Sequence, residues 1–257
     1  MNRCSVVRLV ALLAATVLVA DADNYCCTAP QFVIRADQLQ GLQLPSGQGI
    51  AQLNVLDMAL DFTNERAGEE IDSYSMGRLT KIKVIIDKKK NVMYTIIGQN
   101  CTKTEARGEF LQCIPKTAHF DGSSYLGDNE LTLDAFSFPL DEPKVVRGNV
   151  TVSVTHGNCI YAGTWLVGEA TQTEPPIPLV SSTSFVNFKR GIADPSRWFD
   201  VPSFCQQEKS TRARRSVRPV SDDHKDVMKL VSIFNTMMLP DVGHAKVLKP
   251  QKPSSKQ

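Results

Sequence analysis

The sequence predicts an all-β protein, an antiparallel sandwich or a curved half-barrel, followed by a basic tail. Apolar and polar residues alternate with a period of two in 56–63 and 150–155, as in strands with one wet face. Turn-prone groups such as 87–91 and 121–124 interrupt this alternation. No helical periodicity of comparable length occurs before residue 206, so the β class is favoured.

Further strands are predicted between these turns. The candidate strands are 79–86, 92–98, 107–113, 131–138, 160–168 and 181–190. The first two are separated by a short turn-prone segment and form a predicted hairpin. Residues 23–205 are long enough for one sizeable core and too short to require two, so we expect a single β domain over this range.

Residues 1–22 have the pattern of a secretory signal peptide. Arginines precede an apolar run from Leu9 to Ala20, and the small residues at 20–22 suit signal peptidase. The run is too short to cross a bilayer core of about 30 Å, which takes about 20 residues. We therefore expect cleavage after Ala22, no membrane span, and a secreted, extracellular protein, with the lysosomal lumen as the alternative compartment.

The cysteines of the mature chain predict a disulfide framework. They are Cys26, Cys27, Cys101, Cys113, Cys159 and Cys205. An even number in an oxidising compartment predicts three disulfides, and several pairings are open. The adjacent residues Cys26 and Cys27 cannot easily bridge each other, because their Cα atoms are closer than in most disulfides. No Cys-x-x-Cys pair occurs and the histidines are scattered, so no metal site is predicted.

The stretch Gly191–Cys205 predicts how the β domain ends. Asp194, Pro195 and Ser196 predict a turn, because proline fixes φ and the flanking side chains can bond the local backbone. A short extended segment is expected next. Pro202 then prevents continued ladder pairing just before Cys205, so we expect a disulfide to hold this end at a sheet edge.

Several short motifs follow one another in a recognisable order. They are Cys26-Cys27-Thr28-Ala29-Pro30, the strand from Tyr94 to Cys101, Gly157-Asn158-Cys159, Phe185-Val186-Asn187-Phe188 leading into Gly191–Ser196, and Pro202-Ser203-Phe204-Cys205. In this order the chain resembles the ependymin family over nearly all of 23–205. The resemblance implies a secreted, homodimeric glycoprotein. It also implies two stacked, curved antiparallel sheets, similar to bacterial lipoprotein carriers, which enclose a deep apolar pocket for lipid-like ligands.

The resemblance also implies a disulfide pairing and a metal sensitivity. Cys27 pairs with Cys159 and Cys101 with Cys205 in the implied scheme, which leaves Cys26 and Cys113 for each other. Calcium-sensitive behaviour is implied only by the family. The acidic segment 121–134 lacks the ligand spacing of a loop calcium site, so no cofactor is required by the sequence itself.

A pocket and a solid core draw on the same apolar residues, so alternation alone does not distinguish them. With the resemblance a pocket is favoured, and burial of an acyl chain there is worth about 0.8 kcal/mol per CH₂ group. The pocket candidates are Leu56, Met58, Leu60, Phe62, Tyr94, Ile96, Val152 and Val154. Period two defines two faces without identifying the inner one.

No motif for catalysis occurs in the chain. It lacks Gly-x-Ser-x-Gly, His-Glu-x-x-His and a phosphate-binding glycine loop, so a non-enzymatic role is predicted. The carboxylate pairs Glu69-Glu70 and Asp222-Asp223 are interpreted as solvated charge. The leading hypothesis is a carrier of hydrophobic small molecules or lipids, with no nucleic-acid partner. The alternative is an extracellular matrix or cell-adhesion glycoprotein.

Two sequons predict N-linked glycans, at Asn100 and Asn149. Asn149 lies at the entry to a strand and is the stronger candidate. The middle residue of the other sequon is Cys101, and a disulfide formed there during folding would occlude the acceptor.

The tail 206–257 differs from the β domain in composition. It contains eleven Lys and Arg against five Asp and Glu. Arg212, Arg214 and Arg215 form a convertase-like site or a solvated charge run. Cleavage there would release 216–257 as a peptide. An amphipathic helix is predicted over 221–239, and it can pack on its own domain, cover the pocket mouth or belong to a released peptide.

Overall fold

The computed structural model of the protein describes residues 24–43, 46–106, 112–142, 146–171 and 174–206. The signal peptide, the convertase-like site at Arg212, Arg214 and Arg215, and the helix predicted over 221–239 all lie outside the described residues. These expectations, like the domain bounds 23–205, therefore stay predictions.

The described chain is built almost entirely from strands. They are β1 Asn24–Cys27, β2 Gln31–Gln43, β3 Gly49–Asp61, β4 Arg66–Ser75, β5 Arg78–Asp87, β6 Val92–Ile97, β7 Asn100–Thr104, β8 Cys113–Pro115, β9 His119–Leu126, β10 Leu131–Glu142, β11 Val146–Thr155, β12 Tyr161–Ala170 and β13 Ile177–Arg190. The predicted all-β class is confirmed, and the hairpin predicted from 79–86 and 92–98 is β5 and β6. The predicted strand 107–113 falls partly outside the described residues, and its last residue begins β8.

The strands form two antiparallel sheets that do not close into a barrel. The large sheet has the order β7-β6-β5-β4-β3-β2-β13-β12-β11-β10-β9, and the small sheet pairs β1 with β8. Two meanders, β2 to β7 and β9 to β13, meet where β2 pairs with β13. One sheet therefore spans both halves of the sequence, while the small sheet draws on segments that precede and separate the two meanders.

One face of the large sheet, here called the inner face, carries two buried apolar clusters. The first is centred on β10 to β12 and includes Phe136, Val152 and Leu166, and Ile114 of the small sheet packs within it. The second is centred on β2 to β5 and includes Ile34 and Met58. The small sheet therefore covers the inner face rather than extending the large sheet.

The C-terminal end of the β domain differs from the prediction. Instead of a turn followed by an extended segment, a short helix α1 spans Pro195–Phe199, with Asp194 as its N-cap. The Asp194 carboxylate accepts a hydrogen bond from the Arg197 backbone N–H at 3.1 Å, and proline suits the first helical turn. A second short helix, α2, spans Ser203–Gln206. No helix in the described part of the chain is long and apolar enough to cross a membrane.

The segment 191–206, here called the strap, packs against the face of the large sheet opposite the pocket, the outer face. Trp198 of α1 is buried, and a Cβ built on Gly68 of β4 would lie 2.6 Å from the Trp198 carbonyl oxygen. Only glycine therefore permits this close approach. At the far end of the strap, Cys205 is bonded to Cys101 on the edge strand β7, as the family resemblance implies.

The other two disulfides differ from the implied pairing. The structure pairs Cys27 with Cys113 and Cys26 with Cys159, instead of Cys27 with Cys159 and Cys26 with Cys113. The register explains the correction, because Cys27 lies directly opposite Cys113 in the β1–β8 ladder. Successive side chains of a strand point to opposite faces, so Cys26 is directed away from Cys113.

Candidate ligand pocket

A pocket lies between the inner face of the large sheet and the small sheet that covers it. Its empty space, counted out to the open mouth, is about 840 Å³. The lining comprises Ile34, Gln38, Met58, Leu60, Cys113, Ile114, Pro115, Phe138, Val150, Val152, Tyr161, Thr164, Leu166, Ser181, Thr183 and Phe185. None of these lining residues carries a charge at neutral pH.

Three of the predicted pocket residues line this space: Met58, Leu60 and Val152. Leu56 and Val154 lie on the same inner face but are packed within the two apolar clusters. Phe62 packs at the margin of the second cluster, with its ring centroid 6.1 Å from that of Phe32. The alternation of β3 and β11 therefore identified the correct face of both strands.

Tyr94 and Ile96 do not line the pocket, and the prediction for them is wrong. They lie opposite Ile85 and Lys83 in the β5–β6 ladder, on the outer face. Their neighbours Met93 and Ile97 instead pack against the inner cluster. Both faces of β6 carry apolar residues, so alternation there does not identify the inner face.

Aromatic rings that the sequence analysis missed form one wall of the pocket. Tyr161 and Phe185 both line the space, with their ring centroids 5.7 Å apart. Burial raises the pKa of Tyr161 to about 12, so the phenol stays neutral under physiological conditions. This wall offers a ligand an apolar surface without a charge.

A buried polar cluster occupies one end of the inner face. The Asn54 side-chain N–H donates to the Gln38 side-chain oxygen at 3.0 Å, and Gln38 approaches the Thr183 hydroxyl at 3.4 Å. The Gln52 side chain donates to Asn54 at 2.9 Å and to the Ser73 hydroxyl at 2.6 Å. Thr183, Gln38, Asn54 and Ser73 lie opposite one another on neighbouring strands, and Gln52 lies two residues before Asn54 on β3. Together they form a hydrogen-bonded row of neutral side chains.

A sequence signal for this row exists in β2. Every second residue of β2 is buried, from Phe32 to Leu42. Most of these buried residues are apolar, but Gln38 and Gln40 occupy two of the buried positions. Amides in phase with a buried apolar face predict a polar patch in the interior.

Two buried side chains of the inner face have no hydrogen-bond partner within the described structure. Neither the oxygen nor the nitrogen of the Gln40 amide is partnered, and neither oxygen of Glu69 is. Gln40 lies opposite Ser181, which lines the pocket, and Glu69 lies opposite Met58, which also lines it. Unpartnered buried polar groups are costly, so their presence beside a pocket points to a role beyond packing.

The interpretation of the pair Glu69-Glu70 as solvated charge is wrong for Glu69. The Glu69 residue is only 1% exposed, and burial raises the pKa of its carboxyl to about 7. Glu70 is partly exposed and pairs with Arg197 at 2.6 Å. The two neighbours have different surroundings because consecutive residues of β4 point to opposite faces of the sheet.

The other predicted sites lie away from the pocket. Asn100 and Asn149 are both exposed, as a glycan acceptor must be. No group of three or more His, Cys, Asp or Glu side chains within the described ranges is arranged to hold a metal ion.

Comparison with known proteins identifies relatives of this chain. The Ependymin family model matches residues 77–205. The development-specific protein LVN1.2 of Lytechinus variegatus is 31% identical over 161 residues, which cover 59% of this chain and 85% of the relative.

Similar solved structures are more distant. A LolA superfamily protein from Nitrosomonas europaea is 9% identical, with a TM-score of 0.29, and the match covers 69% of this chain and 93% of the other. A β-barrel-like protein of a domain of unknown function from Brucella abortus is 4% identical, with a TM-score of 0.25, covering 65% of this chain and 100% of the other.

Proposed function

This chain belongs to the ependymin family, and we propose that it is a non-catalytic carrier that binds acyl-bearing or similarly apolar ligands between its two sheets. The observation that carries the proposal is the pocket itself. Its walls are aliphatic and aromatic, and none of its lining residues is charged. Such a space suits hydrocarbon, because each buried CH₂ group contributes about 0.8 kcal/mol.

The proposal is tested by ligand uptake with delipidated full-length protein. Nile red, a neutral dye whose fluorescence rises in apolar surroundings, is titrated first and then displaced by long-chain alcohols and acids. We expect saturable uptake at micromolar concentrations and competitive displacement. A folded, delipidated protein that takes up neither dye nor lipid would refute the carrier function.

Two adjacent serines of β13 provide a matched pair of variants. Ser181 is buried and lines the pocket, whereas Ser182 is exposed on the outer face. Ser181→Phe places a ring in the pocket and should reduce dye uptake at least about 10-fold, since the ring competes for the same space. Ser182→Phe adds the same ring outside and should leave uptake unchanged. Equal effects of the two substitutions would place the dye elsewhere.

An apolar row on the outer face supports a second candidate function, binding to another protein. The row consists of Leu39, Leu53, Tyr74 and Leu79, in register across β2, β3, β4 and β5. Ser182 of β13 separates Leu39 from Trp165 of β12, and all five apolar side chains are at least 45% exposed. Contiguous exposed apolar surface is typical of protein interfaces. A homodimer or a matrix contact would use this row. Leu53→Glu should then convert a dimer into a monomer by light scattering without altering dye uptake.

We further propose that the protein is secreted after cleavage at Ala22 and glycosylated at Asn149, with Asn100 as the weaker acceptor. The calcium sensitivity that the family resemblance implies would come from dispersed carboxylates rather than from a preformed site. Intact mass of the protein from cultured cells, with and without Asn149→Gln, measures the first two proposals. Dye uptake with and without calcium measures the third.

A further inference from the structure

We propose that the pocket selects ligands with an uncharged, hydrogen-bonding headgroup, such as a hydroxyl or a primary amide, over ligands with a carboxylate. The inference rests on the proposed carrier function and specifies the chemistry at one end of the same pocket. Three features of the inner face support it.

The first feature is the neutral polar row at one end of the pocket. Gln38, Ser181 and Thr183 line the space, and Gln38 is held by Asn54 at 3.0 Å. Amides and hydroxyls can both donate and accept, so they can bind a hydroxyl or an amide through either role. The row therefore gives an otherwise apolar pocket a polar end without introducing charge.

The second feature is the amide of Gln40. It is 1% exposed, and both its donor and its acceptor lack a partner within the described structure. Gln40 follows Gln38 by two residues on the same face of β2, a separation of about 7 Å. Gln40 is not itself a lining residue, but it lies opposite the lining residue Ser181 on β13. A ligand hydroxyl or amide that reaches it can donate to its oxygen and accept from its nitrogen, whereas a carboxylate can only accept.

The third feature is the lack of a counter-charge. No lysine, arginine or histidine is among the lining residues. A carboxylate headgroup would lose its hydration without gaining a cationic partner, which is far more costly than burying a hydroxyl that finds hydrogen bonds.

The placement of these groups also orients the ligand. The apolar lining residue Ile34 precedes Gln40 by six positions on β2, which corresponds to about 20 Å along the strand. The headgroup would thus lie at the glutamine end, with the hydrocarbon chain directed past Ile34 and Met58.

The test compares ligands that differ only in the headgroup. Three saturated ligands of equal chain length are used to displace Nile red from delipidated protein at pH 7.4. They are a primary alcohol, a primary amide and a fatty acid. We expect the alcohol and the amide to bind at least about 10-fold more tightly than the acid. Equal or tighter binding of the acid would overturn the inference while leaving the carrier function intact. Failure of all three ligands and of the dye would instead refute the carrier function.

Variants of β2 locate the preference. Gln40→Leu keeps the side chain's approximate size and removes the amide, so the alcohol should lose a measurable part of its advantage over the acid. The part that comes from the missing counter-charge should remain. Gln43→Leu, on the same strand but exposed, is the control and should change nothing. Thr183→Val, which removes a single hydroxyl from the pocket wall at nearly constant shape, provides a second variant should Gln40→Leu fold poorly. A headgroup preference unchanged in the folded variants would overturn the assignment to this end of the pocket.

Discussion

Glu69 and Glu70 are consecutive residues of β4, yet their carboxyl groups lie in opposite surroundings. Glu69 is buried on the inner face without a hydrogen-bond partner, and its pKa is raised to about 7. Glu70 lies on the outer face, bonded to Arg197 at 2.6 Å, with Lys83 at 3.8 Å. The same residue type is thus satisfied by the protein on one face and left unsatisfied on the other.

The contrast extends to the two faces as a whole. Polar groups of the outer face near the strap are matched: the Lys83 ammonium donates to the Arg197 carbonyl at 2.5 Å, and the Arg66 guanidinium lies 4.1 Å from the Phe199 ring centroid. The inner face instead leaves the Gln40 and Glu69 side chains without partners beside a pocket. The outer face is therefore organised for stability, and the inner face retains unused hydrogen-bonding capacity.

Removal of the buried Trp198 side chain of the strap should have the largest effect, and it should affect stability without affecting the pocket. Trp198 is buried against β4, so Trp198→Ala should lower the free energy of unfolding by about 3–5 kcal/mol through the cavity it leaves. Dye affinity in the pocket should be unchanged at temperatures where the variant stays folded, because the strap lies on the opposite face. Denaturant unfolding and Nile red titration measure the two quantities.

Trp165→Ala is the matched control, because Trp165 is 47% exposed on the outer face of β12. Its effect on stability should be well under that of Trp198→Ala. A comparable loss in both variants would mean that the strap contributes little beyond ordinary aromatic burial.

The buried carboxyl should produce a pH-dependent loss of stability. An unfolded glutamate releases its proton near pH 4.5, whereas folded Glu69 does so only near pH 7. Between these values the unfolded state binds fewer protons, so stability falls as pH rises, by about 3 kcal/mol in total. Relative to Glu69→Gln, the wild-type protein should therefore lose stability across this window and change little above it.

Glu70→Gln is the control for the neighbouring carboxyl on the outer face. The difference between wild type and Glu69→Gln, measured by denaturant unfolding at several pH values, should have the predicted slope. A flat difference from pH 4.5 to 7 would contradict the burial of an unpartnered carboxyl at this position.

Asp61 offers the opposite case, a buried carboxyl that is fully hydrogen-bonded. Burial alone would raise its pKa, but hydrogen bonds from Asn64, Gln31 and Arg66 together outweigh burial and lower the pKa to about 2. This lowered pKa stabilises the folded state by about 2 kcal/mol. The contribution is fully present above pH 3.8, the pKa of the unfolded carboxyl, and is lost as pH falls through about 2. Asp61→Asn should abolish this acid-sensitive part, which unfolding between pH 2 and 5 measures. An unchanged acid sensitivity would mean that the hydrogen bonds do not favour the carboxylate.

The surface ion pair should have the smallest effect. Arg197 and Glu70 are both partly exposed, so Arg197→Met, which keeps the alkyl part beside Trp198, should cost less than about 1 kcal/mol. The cost should shrink further in high salt because the pair is screened. Thermal unfolding at low and high ionic strength tests this. A salt-independent loss would assign the effect to packing rather than charge.

The sequence predicted the class and many of the strands because period-two alternation is a local property. It did not predict β2, β4 or β9, and the segment 121–124, expected to interrupt the strands, lies inside β9. It could not assign the faces of β6, since apolar residues lie on both of them and Ile96 is buried on the outer face. Nor could it pair Cys26 and Cys27 correctly, because that choice depends on the register of two segments far apart in the chain. Glu69 was misjudged for the same reason: its burial follows from the neighbouring strands β3 and β5, which composition does not reveal.

The strap contains the run Gly191–Cys205, which includes two of the motifs by which the chain resembles its family, and that run packs on the outer face, opposite the pocket. Relatives that share this run should therefore share the scaffold, whatever ligand the proposed pocket binds in each of them. Ligand preference should instead track the residues equivalent to 38, 40, 52 and 54. Relatives with amides there and relatives with lysine or arginine there should be sorted into separate specificity groups, even where their strap sequences are identical.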